Sequence, residues 1–455
     1  MRASALKYAI LSVMASLVAL ILLLMPLHAF LTVWGASLFG HYTLLRLWKE
    51  FLLIICLFGV GYLLAADHKI RSHTLTRRLV WLILLYGVVN IVWGVMAYQH
   101  HDVDSKALGY GLIVDLRLPA FFLVAWAVAL RTSRLRSQWQ QLLLWPALVV
   151  VIFGLLQVFV LPRDFLSHFG YNSNTIAPYE TINHNVHYIR IESTLRGANP
   201  LGAYLLIPIS LLTVLIVRGK RGWQYVAFLL AAVLALYFSF SRSAWLGAVL
   251  SIGLILLISL RSRQAKRWIA TLACLGLVII GGLALNSRHN IRLENILLHT
   301  QTHSAIKTTS DEGHATALKA GLHDLLHQPL GHGPGSAGPA SIYNNHPARI
   351  AENFYVQIGQ ETGWLGLGLF LLINGGVGYL LWVRRSDPLA LSLFASLIGL
   401  SLINLLSHAW ADDTLAYVWW GLAGIAMAPH QVAGISEQVA EAAGKPRAKS
   451  SSKGK

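Results

Sequence analysis

The stretch PARIAENFYVQIGQETGWLGLGLF, Pro347–Phe370, changes from polar to apolar in its second half. Glu352 and Asn353 lie just before an aromatic pair, and from about residue 361 nearly every side chain is apolar. An apolar run of this kind is typical of a helix that enters a membrane. A carboxylate near such a run is costly unless it has a partner or a task. The stretch therefore predicts a membrane-spanning helix with a glutamate at its mouth.

The composition of the whole chain supports this interpretation. Of its 455 residues, 56% are hydrophobic and only 12% are charged, whereas soluble proteins carry about 25% charged residues. Apolar runs of about 20 residues, the length of a spanning helix, recur along the sequence. We therefore predict an all-α polytopic membrane protein. Its twelve predicted spans are 9–30, 49–66, 79–98, 111–130, 142–161, 199–217, 224–240, 243–260, 268–285, 361–382, 389–407 and 415–429.

The net charge of +17 would suit a nucleic-acid-binding protein, but its distribution indicates membrane topology instead. If the N-terminus lies in the cytoplasm, most of the 36 Lys and Arg residues fall in short connections on the cytoplasmic side, as the positive-inside rule requires. We therefore expect a protein of the cytoplasmic (inner) membrane with both termini in the cytoplasm, and membrane lipids rather than nucleic acid as partners. Residues 1–430 are predicted to form one membrane domain, and the basic tail 431–455 is predicted to be disordered.

The two cysteines, Cys56 and Cys274, both lie inside apolar runs. Neither a disulfide framework nor a thiolate metal site is expected from them.

Two predicted outside segments are long, about 162–200 and 286–360, and long loops on a rigid scaffold often carry function. The second lies between the predicted spanning helices nine and ten. Ser310 and the acidic residues after it predict a helix that ends at Pro329 and forms a lid or wall at the mouth of the membrane domain. Its predicted apolar face consists of Leu318, Leu322, Leu325 and Leu326. The histidines of this loop are interpreted as surface or interface residues, and no metal site is predicted because neither HExxH nor a third ligand is evident.

Three arginines are predicted to lie on the outside face, where the positive-inside rule disfavours them. Arg190 and Arg196 precede an apolar run in YIRIESTLRGANPLGAYL, and Arg242 lies between two apolar runs in YFSFSRSAWLGAVL. A guanidinium fork suits phosphate oxygens. A charge near hydrocarbon costs on the order of 3 kcal/mol, so Arg242 needs an anionic partner. The alternatives are headgroup snorkelling for Arg190 and Arg196, and a structural ion pair for Arg242.

Glu352 is the candidate general base, because a carboxylate partly buried at the mouth of a membrane domain can have a raised pKa. Its alternative roles are a counter-ion for Arg190 or Arg242, and an N-cap. Pairing of Asp115 with Arg117 is the simplest interpretation of those two charges. The weaker functional candidates are Asp115, Arg117, His408, Asp412 and Asp413.

In their order along the chain, these motifs resemble those of the O-antigen ligase/polymerase superfamily of bacterial membrane glycosyltransferases. The resemblance covers nearly the whole chain. It rests on GANPLGAYL after the first outside loop, on the SRSAWLG hairpin, and on a late outside loop that contains HQPLGHGPG and ends in ENFYVQIGQETGWLGLGL. It implies a GT-C-type fold and a lipid-linked donor such as a saccharide on undecaprenyl pyrophosphate. It also implies transfer to a hydroxyl of a glycan or lipid-glycan acceptor outside the cytoplasmic membrane, without a metal or another cofactor.

The resemblance also implies roles for individual residues. Arg190 and Arg242 match the arginines that members use for the donor pyrophosphate, and Glu352 stands where ligases carry a histidine directly before the asparagine of the last motif. In the implied reaction Glu352 takes the proton of the acceptor hydroxyl, the arginines stabilise the leaving pyrophosphate, and a single displacement inverts the anomeric carbon. The predicted catalytic residues are Glu352, Arg190 and Arg242, and the predicted substrate-binding residues are Arg196, Asn199, Asn353, His332 and Tyr355.

Two other classes of function compete with transfer. A transporter or flippase for lipid-linked or other anionic solutes would use the same arginines without breaking a bond. A non-catalytic scaffold in envelope assembly is a third interpretation, but it gives Arg242 no task.

Overall fold

The chain is nearly all helical in the computed structural model, which describes residues 2–75, 77–182, 185–219, 222–260, 262, 264 and 310–428. Within these ranges, nine segments are long and apolar enough to cross a membrane. The predicted class, an all-α polytopic membrane protein, is confirmed. The helices are α1 (Arg2–Leu24), α2 (His28–Phe39), α3 (Tyr42–Arg46), α4 (Trp48–Ala66), α5 (His68–Leu75), α6 (Arg78–Gln99), α7 (Ser105–Ala129), α8 (Arg134–Phe159), α9 (Ala198–Val217), α10 (Trp223–Phe238), α11 (Arg242–Ser259), α12 (Ser310–His327), α13 (Phe354–Val383), α14 (Pro388–Leu406) and α15 (Asp413–Met427).

Eleven of the twelve predicted spans fall on helices in the described ranges. The remaining predicted span, 268–285, lies outside the described residues, as do Cys274 and the predicted tail 431–455. Helices α10 and α15 have 16 and 15 residues, fewer than a spanning helix usually needs. The number of spans therefore stays a prediction.

Helix α15 is enclosed by the rest of the bundle and is buried along almost its whole length. It packs along α7. Trp419 and Trp420, in the middle of α15, form a cluster with Trp410, which precedes the helix, and their ring centroids are 5.3 to 5.8 Å apart. This packing carries Asp412 and Asp413 into the interior of the protein.

One short antiparallel hairpin interrupts the helical pattern within the predicted loop 162–200. Its strands are β1 (Glu180–Ile182) and β2 (Asn185–Arg190), and Glu180 lies opposite Arg190 in the register. Side chains of residues directly opposite each other lie close together on one face of a strand pair. The hairpin therefore brings a carboxylate to one of the predicted site arginines.

Most of the segment between β2 and α9 is buried among the helices of the bundle. The Ser193 hydroxyl donates to the carbonyl oxygen of Val150 at 2.6 Å, and the Thr194 hydroxyl donates to that of Pro26 at 2.7 Å. Glu192 is only 1% exposed, and within the described ranges neither of its carboxylate oxygens has a hydrogen-bond partner. Burial raises the pKa of Glu192 well above its usual value, and the nearby Glu180 raises this pKa further.

Helix α12 confirms the helix predicted inside the second long loop, and it packs on the first half of α13. Leu325 is buried, and a glycine at position 359 lets it approach the backbone of α13. Leu322 and Leu326 are exposed instead. The predicted apolar face is therefore only partly covered by the protein.

Helix α13 bends at Gly363, close to the predicted start of the apolar run. Gly363 has φ +64°, a left-handed conformation that favours glycine. At the bend the backbone N–H of Trp364 donates to the carbonyl oxygen of Pro329 at 3.0 Å. A Cβ on Gly363 would overlap that oxygen. The backbone at Pro329 and Leu330 therefore packs against the bend of α13.

We predict that Gly363→Ala lowers the stability of the protein, whereas Gly368→Ala in the same helix does not. The first variant combines a strained φ with a backbone clash, at a cost of about 1–3 kcal/mol or more. A Cβ on Gly368 would meet no atom within 4 Å, and alanine is the better helix former by about 1 kcal/mol. The check is the apparent melting temperature of each variant, measured by size exclusion after heating in detergent. Equal melting temperatures would show that the bend does not depend on glycine.

We also predict that Glu192→Gln stabilises the protein increasingly as the pH rises. The unfolded chain ionises Glu192 above about pH 4.5, whereas the folded chain keeps this carboxyl protonated until its raised pKa is reached. The wild type therefore loses stability relative to the glutamine variant by up to about 1.4 kcal/mol per pH unit in that window. The check is the difference in apparent melting temperature at pH 5 and at pH 8, with Asp164→Asn as the control at an exposed carboxylate. A difference that does not change with pH would contradict this account.

Candidate active site

A cavity of about 730 Å³ opens at the end of the bundle where α9 and α11 begin and α14 ends. Four residues predicted from three distant parts of the sequence line it: Arg190, Arg196, Arg242 and Glu352. Asn199, His408 and Asp412 are also in its wall. The fold thus brings three guanidinium groups and two carboxylates to one cavity.

Arg190 is the last residue of β2, and most of its polar atoms are held by the protein. Its Nε donates to the carbonyl oxygen of Ser239 at 3.0 Å, and its Nη2 donates to Oδ1 of Asn199 at 2.6 Å. Its Nη1 lies 3.4 Å from Oε2 of Glu180, its partner across the hairpin. These contacts fix the orientation of the guanidinium. A ligand that binds it therefore does not lose affinity to the entropy cost of ordering this side chain.

Arg242 is the first residue of α11 and follows a tight turn after α10. Phe240 in this turn has φ +48°, which is rare and strained for a bulky residue. The carbonyl of Ser239, in the same turn, accepts from Arg190, so the turn positions both arginines. Burial lowers the pKa of Arg190, Glu180 partly offsets this, and the nearby positive charge of Arg242 lowers the pKa further. Two cations kept this close favour an anionic ligand between them.

Arg196 and Asp412 form an ion pair across the cavity wall. The Arg196 Nε lies 3.6 Å from Oδ2 of Asp412. Asp412 is buried and also caps α15, because its Oδ1 accepts from the backbone N–H of Leu415 at 3.1 Å. The side chain of Arg196 is 51% exposed. Arg196 is therefore held at its Nε by Asp412, while about half of its side chain stays exposed.

Glu352 enters the cavity from a strained turn before α13. Its φ of +52° lies in the left-handed region, which costs on the order of 1–3 kcal/mol for residues other than glycine. The next residue, Asn353, holds this turn in place. Its Oδ1 accepts from the backbone N–H of Val356 at 3.0 Å as an N-cap, and its Nδ2 donates to the carbonyl of Leu405 at 2.9 Å. Strain of this kind persists where the surroundings enforce it, commonly at functional sites.

The other predicted substrate-binding residues lie outside the lining of this cavity. Asn353 is buried as the cap of α13. The backbone N–H of His332 donates to the carbonyl of Gln360 at 2.9 Å, and burial lowers the pKa of its imidazole. Tyr355 packs beside Phe370. These residues were selected by their positions in the motifs that carry the family resemblance, and those positions do not place them beside the arginines.

The predicted pairing of Asp115 with Arg117 is wrong. Arg117 pairs with Asp413, while both carboxylate oxygens of Asp115 are buried and have no hydrogen-bond partner within the described ranges. Residues two apart on a helix point to different sides, so the two charges of α7 face different surroundings. Glu361, on α13, accepts from the backbone N–H of Gly335 at 2.8 Å, at the end of the HQPLGHGPG segment.

Sequence reasoning missed several charged residues near the cavity. Lys49 and Glu50 lie at the start of a predicted span, and the rule that marks charges in apolar runs could have found them. Glu180 had no such signal, because only the hairpin register pairs it with Arg190.

Comparison with protein families matches residues 226–371 to the family described as O-antigen ligase. Arg242 and Glu352 fall inside the matched segment, whereas Arg190 and Arg196 precede it. No curated protein matches the chain. The match indicates an enzyme of the O-antigen ligase/polymerase type that acts on lipid-linked glycans in general. Residues 226–371 thus confirm the relationship of this multi-pass membrane protein to the O-antigen ligase/polymerase superfamily.

Proposed function

We propose that this protein transfers a glycan from an undecaprenyl-pyrophosphate-type donor to an acceptor hydroxyl, by an inverting and metal-independent reaction. The observation that carries the proposal is the shared cavity, which joins Arg190, Arg196 and Arg242 to Glu352. The match to the O-antigen ligase family supports glycan transfer in general. The donor, the stereochemistry and the roles of the residues are parts of the proposal.

In the proposed complex the donor pyrophosphate lies against Arg190 and Arg242. A pyrophosphate diester carries two negative charges, and guanidinium forks match its oxygens. Arg190 is already oriented by Ser239 and Asn199, so it is preorganised for the charge that develops on the leaving group. Arg196 adds a third cation at the edge of the cavity.

Glu352 accepts the proton of the acceptor hydroxyl in the proposed reaction. The acceptor oxygen forms a bond to the anomeric carbon while the bond from that carbon to the phosphate oxygen breaks. The leaving pyrophosphate keeps the electron pair, and the arginines neutralise its charge. A single displacement of this kind inverts the anomeric centre. The strained backbone of Glu352 supports a catalytic role, since strain is retained where position matters.

We place the reaction on the outer side of the cytoplasmic membrane. Basic residues cluster in the connections at the end of the bundle opposite the cavity. These connections follow the C-terminal ends of α7, α9 and α13. The positive-inside rule assigns that end to the cytoplasm. The basic residues of these connections include Arg131, Arg134, Arg136, Arg218, Arg384 and Arg385.

A transporter or flippase of lipid-linked or anionic solutes is the second candidate function. It would need the arginines to bind the anion, but it gives no task to a carboxylate that a strained turn directs to the same cavity. The presence of Glu352 among the arginines therefore favours transfer.

We predict that Glu352→Gln lowers the rate of glycan transfer about 100-fold or more, because a positioned general base contributes at least that factor. Its affinity for the donor should change little, since glutamine keeps the size of the side chain. Arg242→Gln should weaken donor binding as well as transfer, because it removes a cation beside the pyrophosphate. The assay supplies purified protein in lipid nanodiscs with polyprenyl-pyrophosphate-linked oligosaccharide and acceptor, and measures released polyprenyl pyrophosphate.

The matched controls are Asp164→Asn and Arg385→Gln, which alter an exposed carboxylate and an exposed arginine away from the cavity. Both should keep wild-type transfer. Full activity in Glu352→Gln would exclude its role as the base. Movement of the lipid-linked glycan across a vesicle membrane without release of pyrophosphate would support the transporter instead.

A further inference from the structure

A second cavity, of about 150 Å³, adjoins the first at the same end of the bundle. Arg196 and Asp412 line both cavities, so the two share a wall. Most of its other residues come from α2, α3, α4, α7, the 3₁₀ turn Gly338–Tyr343 and the start of α15, and Leu47, Ile176 and Ala411 complete the lining. Its volume suits one sugar-sized group, whereas pockets for larger ligands have about 300–1,000 Å³.

In the described part of the chain, the charged side chains of this cavity are paired either around Asp413 or between Arg196 and Asp412, with one exception. Asp413 receives Arg117, Lys49 at 2.9 Å and His28 at 3.4 Å. Lys49 also lies 3.1 Å from the carboxylate of Glu50. Within the ranges that the structure describes, no carboxylate pairs with Arg46, which also lines the cavity. The second cavity therefore presents one half-buried guanidinium to a ligand.

An aromatic stack holds Arg46 in place. The Arg46 guanidinium lies 4.8 Å from the ring centre of Tyr110, and Tyr110 stacks on Tyr343 with ring centres 4.7 Å apart. Lys106 lies over the Tyr343 ring at 4.3 Å but is not in the cavity wall. The stack joins α3, α7 and the 3₁₀ turn, and it gives the cavity two tyrosines that combine an apolar ring with a hydroxyl.

We propose that the second cavity is a saccharide subsite on the acceptor side, and that its occupant carries a carboxylate or a phosphate that pairs with Arg46. This inference rests on the proposed function. A sugar ring offers hydroxyls to the polar groups and C–H faces to the tyrosines, whereas an isoprenoid chain would bury the Arg46 guanidinium without a hydrogen-bond acceptor. An acidic substituent supplies the anion that Arg46 lacks. The shared wall at Arg196 and Asp412 lets such a sugar extend from an acceptor hydroxyl in the first cavity.

The test measures binding to the full chain in nanodiscs without any transfer step. D-Glucuronate, glucose 6-phosphate and neutral glucose probe the second cavity by proton saturation-transfer NMR, and inorganic pyrophosphate probes the first by the broadening of its phosphorus NMR signal. We expect Arg46→Gln to weaken glucuronate or glucose 6-phosphate binding about tenfold, as the loss of a charge-assisted hydrogen bond predicts. Lys106→Gln, which removes the other cation of the stack, should bind these sugars like the wild type. Arg242→Gln should weaken pyrophosphate binding and leave sugar binding unchanged.

The pattern of results separates this inference from the proposed function. Retained pyrophosphate binding in Arg46→Gln shows that this variant is folded. Equal sugar binding by Arg46→Gln and Lys106→Gln would overturn the subsite, and so would loss of sugar binding in Arg242→Gln. Binding of neutral glucose as tight as that of both acidic sugars would overturn the assignment of an acidic substituent. Sugar binding that follows Arg46, in a protein that releases no polyprenyl pyrophosphate, would support the subsite while the proposed function fails.

Discussion

Asp413 is the charge around which the end of the bundle that holds the two cavities is organised. Three basic side chains, Arg117, Lys49 and His28, reach its carboxylate from α7, α4 and α2, and α15, which it begins, is enclosed by the other helices. Charges removed from water are costly unless they are paired with good geometry, and removing one partner leaves the others uncompensated. The cluster therefore fixes α15 relative to three other helices. Because Asp412 precedes this carboxylate in the chain, the position of Arg196 depends on the same cluster through the Arg196–Asp412 pair.

The arginines of the first cavity obey the same constraint in a different way. Arg190 is held by the backbone carbonyl of Ser239, by the amide of Asn199 and by the carboxylate of Glu180. The side chain of Arg196 pairs with Asp412 and is about half exposed. Strained turns at Phe240 and Glu352 place a cation and a carboxylate at the rim. A site built in this way has already met the cost of ordering its charged groups. An anionic ligand that enters it gains the attraction of the arginines without first reorganising them.

The sequence allowed the class of fold to be predicted because membrane helices leave a signal of length and composition. It also allowed Arg190, Arg242 and Glu352 to be selected, since charges beside apolar runs are conspicuous. Other features had no local signal. The partner of Arg190 depends on a strand register, that of Arg117 lies almost 300 residues away along the chain, and the left-handed backbone of Glu352 has no marker in the residue type. His332 and Tyr355 were chosen by their position in motifs, but whether a side chain faces a cavity depends on how its segment of chain packs.

The two cavities are not independent of each other, because adjacent residues serve them. Asp412 lies in the wall of both and pairs with Arg196, while Asp413 organises the charges of the second. A backbone shift at either residue moves both carboxylates and the start of α15, whose packing leaves little room for adjustment. The ion pairs at Asp413 therefore fix the geometry of the shared wall for the occupants of both cavities. In the proposed transfer, a rigid wall between neighbouring sites would keep the reacting groups in register, and positioning of this kind can supply a large part of a rate enhancement.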